Sequence, residues 1–261
     1  MLAWLRQALQ QRRENRALQR RPIPEALWQL TLRRFPFLRY RSEADLQALR
    51  RMCSVFLDSK EFHGAGGFEL RNDVVVAVAA QACLLVLKLG LSCYDRFVGI
   101  VLHADAVIAP REQLDDVGVL HRYDEVLAGE TMSGGPVMLS WNDVYSAGAL
   151  ENGPAYNVVI HEFAHVLDMR DGMADGLPLL PDPQSQHRWR KVLESEFKRL
   201  CRWVDQGMST AIDPYGCEGL EEFFAVASEA FFVTPLALKG QQPAMYRLLA
   251  SYYLQDPAEN I

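Results

Sequence analysis

The sequence predicts an α+β protein, mainly helical with one small sheet, on three observations. Apolar residues recur at helical spacing through the first third of the chain, and two short runs of strand character follow. The second half then alternates proline- and glycine-rich loops with amphipathic or apolar helices. At 261 residues, with 49% hydrophobic and 23% charged residues, the composition is that of an ordinary globular protein. Collagen-like, disordered and coiled-coil classes are excluded, and a chain of this size needs neither disulfide nor metal merely to fold.

Pro24 to Arg34 and Ser42 to Lys60 both read as helices. The second carries Leu46, Leu49, Met52, Cys53, Phe56 and Leu57 at helical spacing, and Ser42 with Asp45 resembles a helix start. The glycine-rich HGAGGFEL turns the chain, and Val74 to Gly90 predicts a buried helix closed by its glycine. That apolar stretch, interrupted by Gln81 and ended by Lys88, falls short of the roughly 20 residues that a membrane span needs. Phe97 to Ile108 and Pro136 to Trp141 are the candidate strands. Helix is expected again over Asn157 to Asp168, an irregular loop over DGMADGLPLLPDP, and an amphipathic helix over Gln186 to Trp203. Asp213-Pro-Tyr-Gly reads as a turn, Gly219 to Val233 as an aromatic-rich helix and Pro243 to Leu254 as the last helix.

The net charge of −6 is uneven: the first 51 residues carry +8 and the rest −14. A basic head of this kind fits either nucleic-acid contact or a solvated face pairing with the acidic body. The second is favoured, because no helix-turn-helix spacing or aromatic-basic interleaving accompanies the arginines. The first residues lack a cleavage site of the secretory type. The five cysteines, odd in number and without a CxxC pair, read as reduced thiols, so a cytoplasmic location is expected.

The chemistry concentrates in His161-Glu162-Phe163-Ala164-His165. An HExxH pattern arises here by chance about once in a hundred such chains. Residues four apart share a helical face, so His161 and His165 can offer two imidazole nitrogens to one ion. Glu162 beside them can take a proton from a metal-activated water and pass it to a leaving amine, which is peptide hydrolysis without a covalent intermediate. His63, His103, His121 and His187 are isolated and read as surface or core residues. A catalytic zinc has three protein ligands and an open position. Asp168 and Asp171 stand where a three-histidine site would have Gly and His, leaving Asp171 as a weak candidate. Glu222 and Glu229, seven apart on one helix face, are better ones, and periodicity leaves the choice between them open. Glu221 lies off that face.

HEFAHVLDMRDGMADGLP, DPYG, EEFFAVASEAFF and MYRLLASYYLQDP resemble the Mlc titration factor A family of bacterial zinc metallopeptidases, from about Phe68 to the C-terminus. The resemblance implies a zincin-like fold, with a helical region over 1–93 and the zinc-binding catalytic region over 94–261 in one continuous unit. It implies one Zn2+ per chain on His161, His165 and Glu222, with Glu162 as general base. The family is similar to the catalytic domain of anthrax lethal factor, where a tyrosine seven residues before the ligand glutamate stabilises the tetrahedral intermediate; that position is Tyr215 here. A phenol there could hydrogen-bond a developing oxyanion. Asp168 and Glu229 are candidates to orient an imidazole. Gly135, Val137 and Leu139 belong to the candidate edge strand on which substrate would pair. The expected activity is aminopeptidase-like, on peptide substrates, and the expected partner an Mlc-type repressor rather than nucleic acid or membrane.

Overall fold

The computed structural model describes residues 11–12, 14–114, 120–132, 134–149 and 154–261; the extreme N-terminus of the basic head lies outside them. Residues 14–20 are helical, and Arg20 reaches Asp58 at 3.9 Å. Three helices follow: α1 (Glu25–Arg34), α2 (Glu43–Ser59) and α3 (Asn72–Leu85), with strand β1 (Glu61–Gly64) between the last two. Ser42 caps α2 as its spacing predicts, its Oγ accepting the Asp45 N–H at 3.2 Å. Helix α3 is buried on every side from Val76 to Leu85, which is why it shows no polar face in the sequence. It ends at Leu85 rather than at Gly90. The chain tightens into i to i+3 bonding at Leu87, and Gly90, with φ 91°, opens the next turn instead of closing the helix.

Strand β2 (Gly99–His103) ends at His103, and β3 (Val107–Leu114) begins a separate hairpin with β4 (Leu120–Leu127). The run from Phe97 to Ile108 therefore belongs to two sheets, not one strand. Strand β5 (Gly129–Thr131) and β6 (Val137–Ser140) complete a four-stranded mixed sheet in the order β1-β2-β6-β5, in which only β5 is antiparallel. This corrects the expected edge strand. β6 lies inside the sheet with both backbone edges spent on β2 and β5, Val137 and Leu139 are buried, and Gly135 sits in the preceding turn. The edge beside it is β5, whose three residues are too few to show alternation.

Helix α4 (Trp141–Ser146) and the short β7 (Gly148–Ala149) and β8 (Ala155–Tyr156) lead into α5 (Val158–Asp168). The chain ends in α6 (Pro183–Asp205), α7 (Leu220–Val233), α8 (Pro235–Gln241) and α9 (Pro243–Tyr253). One hydrophobic core takes in Trp28, Phe56, α3, Phe163, Phe224 and Tyr253. All five cysteines are free thiols. Among the described residues, no helix is long and apolar enough to cross a membrane.

Candidate metal centre

Helix α5 is fixed before it presents any chemistry. Asn157 caps it, its Oδ1 accepting the Ile160 N–H at 3.0 Å, while its Nδ2 donates to Gln81 Oε1 at 2.7 Å. That glutamine, buried in α3, also donates to Ala77 O at 3.1 Å, so the polar residue interrupting the apolar stretch is a strut to the site helix. On the core side Phe163 meets Tyr94, Phe97 and Phe56 with ring centroids 5.1, 5.7 and 6.0 Å apart. The opposite face carries His161 and His165.

Helix α7 packs against α5 and brings both of its inward glutamates to the imidazoles. His161 Nε2 lies 3.1 Å from His165 Nε2 and 3.0 Å from Glu222 Oε2, and the third separation, His165 Nε2 to Glu222 Oε2, is 3.5 Å. On the other ring nitrogen, His161 Nδ1–H donates to Glu229 Oε1 at 2.8 Å, and the Asn157 N–H donates to Glu229 Oε2. With its proton on Nδ1, His161 turns a lone pair toward Glu222 Oε2, a buried oxygen that receives no hydrogen bond. Three acceptors converging in this way repel one another unless a cation lies among them. Tetrahedral ligands at 2.0 to 2.1 Å from one ion stand about 3.3 Å apart, matching the separations seen, so the donor set fits a metal ion.

A proton can take the cation's place, and the carboxylates and imidazoles shift one another accordingly. Burial alone would push Glu222 up, but the two imidazoles outweigh it and hold the carboxyl down at about 2. Burial would lower His161, yet Glu222 and Glu229 keep it well above the usual histidine range. Burial raises Glu162 and Glu229, against the pull of the histidines.

Glu162 is buried beside the cluster, and its Oε2 accepts the Thr131 hydroxyl at 2.8 Å. A cleft of about 280 Å³ opens over it, walled by Ala128 and Gly129 of the sheet edge and by Tyr156, Asp213 and Tyr215. Tyr215 is 49% exposed, and its ring stands 6.1 Å from that of His161. The 3-10 turn Pro214–Cys217 carries it, capped by Asp213, whose Oδ1 accepts the Tyr215 N–H at 2.9 Å.

Other expected positions fall elsewhere. Asp171 is exposed and accepts the Met173 N–H at 3.0 Å, outside the cluster. Asp168 is buried but orients no imidazole: its Oδ2 accepts the Gly176 N–H at 2.8 Å, which ties down the loop after α5. His63 and His187 are exposed and His103 is partly exposed, away from the site, while the side chain of His121 lies outside the described set. Thr131 and Gly129 gave no signal in the sequence, because a three-residue strand has no periodicity to read.

The chain matches the glucose-regulated metallo-peptidase M90 family over residues 9–254. It belongs to that family. Among its relatives, an uncharacterized protein of Synechocystis sp. is 36% identical over 251 residues, covering 95% of this chain and 90% of its own. Mlc titration factor A of Klebsiella pneumoniae (strain 342) is 31% identical over 91% of this chain and 89% of its own. The protein of the same name from Cronobacter sakazakii is 32% identical over 90% of this chain and 87% of its own. Membership of M90 makes the protein a metallopeptidase by family, and the cluster on α5 and α7 is the place in it that suits a metal.

Proposed function

We propose that this M90 protein is a zinc-dependent peptidase of the HExxH-plus-Glu type with a zincin-like catalytic region, acting as an aminopeptidase. The observation that carries the reading is the convergence of His161 Nε2, His165 Nε2 and Glu222 Oε2, at 3.0 to 3.5 Å from one another, beside a buried glutamate and an open cleft. Those three residues would hold the ion. Bound there, zinc supplies Lewis-acid polarisation of the scissile carbonyl and lowers the pKa of water.

The chain's own residues do the rest. Glu162 takes the proton of the attacking water on its carboxylate and returns it to the leaving amine. Tyr215 donates its phenolic hydrogen to the oxyanion as charge develops. Glu229 keeps the His161 proton on Nδ1, so that Nε2 would offer its lone pair to the ion. An extended peptide pairs along β5, the sheet edge that walls the cleft. The described lining holds Glu162, Asp213 and Glu229 and no lysine or arginine, which favours a cationic amino terminus over an anionic ligand.

Glu162→Gln tests this reading. It should lower hydrolysis of aminoacyl-nitroanilides by about 10² to 10⁴ while the protein keeps its zinc. Full activity in that variant would remove Glu162 from the mechanism. A second reading comes from the relatives' name: the protein binds an Mlc-type repressor and acts by sequestering it. Glu162→Gln should retain such binding. A shift of bare operator DNA by this protein alone would count against a repressor partner.

A further inference from the structure

We infer that Gly129 and Thr131 are positioning residues for the general base, so that the strand walling the cleft also sets the direction of the Glu162 carboxylate. The inference rests on the peptidase reading above and adds two residues to it. Positions 129 and 131 are two apart on β5 and therefore share a face; they stand opposite Leu139 and Val137 of β6. That face is turned to α5. Thr131 Oγ1 donates to Glu162 Oε2 at 2.8 Å and lies 3.2 Å from the carbonyl oxygen of the same residue, so one hydroxyl gauges both ends of the glutamate. Its β-branched side chain is stiff at χ1 and holds the hydroxyl in place.

Gly129 acts by what it lacks. A Cβ at that position would stand 2.6 Å from Glu162 Oε1, 2.7 Å from Cγ and 2.8 Å from Cδ, closer than such atoms approach. Any other residue would push the carboxylate out of its berth. Strand and hydroxyl together leave Oε2 occupied and Oε1 at the Gly129 wall of the cleft. A glutamate has three side-chain torsions to lose, and among the described residues no other side chain donates a hydrogen bond to this carboxylate. Without the hydroxyl the base would sample directions in which it cannot meet the water, and misplacement by about 1 Å costs on the order of 10² in rate.

Thr131→Val removes the hydroxyl and keeps the shape. In the zinc-loaded protein kcat on an alanyl-nitroanilide should fall about 10- to 100-fold, with KM and zinc content unchanged, and Thr131→Ser should recover most of the loss. On a Glu162→Gln background the same change should cost nothing further, because the group it positions is already gone. Crystal structures of the wild type and Thr131→Val, and of Gly129→Ala, should show the carboxylate turned from its wild-type direction in both variants. Wild-type kcat in Thr131→Val, an additive loss in the double variant, or an unmoved carboxylate would each overturn the inference. A wild type that binds zinc but hydrolyses nothing would sink the peptidase reading instead. The crystal comparison would still decide whether Thr131 and Gly129 hold Glu162.

Discussion

Each side chain around the cluster has one task set by which of its atoms is already spent. Glu229 spends both oxygens, on His161 Nδ1 and on the Asn157 N–H, and so orients His161 without an oxygen left to join the cluster. Glu222 leaves a buried oxygen without a donor and faces both Nε2 atoms. Tyr215, on a capped turn, lines the cleft with its ring 6.1 Å from that of His161. Tyr215→Phe should therefore lower kcat about 10²-fold with KM little changed, and steady-state kinetics showing an unaltered kcat would end its role at the oxyanion. Asp168 is different: it serves the loop, and burial raises its carboxyl to about 7 from an ordinary 3.8. The folded state then holds this proton more tightly than the unfolded chain. Its contribution to stability is complete below about pH 4 and is lost as pH rises through about 7. Asp168→Asn keeps an acceptor for Gly176 and should flatten the fall in denaturation midpoint over that window. An unchanged slope would show that another group sets it.

At the scale of elements, the site is an angle between two helices. α5 supplies both histidines because four residues make one turn, whatever the rest of the fold does, and this is why that half of the site is legible in the sequence. Glu222 and Glu229 are equally legible as a pair on α7. Which of them meets Nε2 and which Nδ1 depends on how α7 crosses α5, a tertiary quantity that spacing does not contain. The helix start at Asn157 links the site to the buried α3 through Gln81. Asn157→Ala would remove the cap and leave a buried amide oxygen unpaired, costing about 2 to 4 kcal/mol in all. Chemical denaturation should read that loss, and a cost under about 0.5 kcal/mol would mean that the strut bears no load.

At the scale of the whole molecule, what local pattern could not convey was strand order. The apolar run of β6 reads the same whether the strand lies inside a sheet or at its edge, and only the pairing with β2 and β5 decides. β1 and β5, four and three residues long, carry no periodic signal, yet β5 is the wall that touches Glu162. The helical frame was readable because its apolar spacing persists over many turns, with errors at ends such as Leu85 and at the short α4 and α8, which the pattern did not show. The arrangement as a whole presents three converging donor atoms beside a cleft, with a buried carboxylate next to them. The measurement that tests this most directly is zinc content per chain, with aminoacyl-nitroanilide hydrolysis, in the purified wild type and in His161→Ala. The account predicts about one zinc per chain and measurable hydrolysis in the wild type, both lost in the variant. A wild type that binds no zinc, or a variant that keeps both zinc and activity, would contradict it.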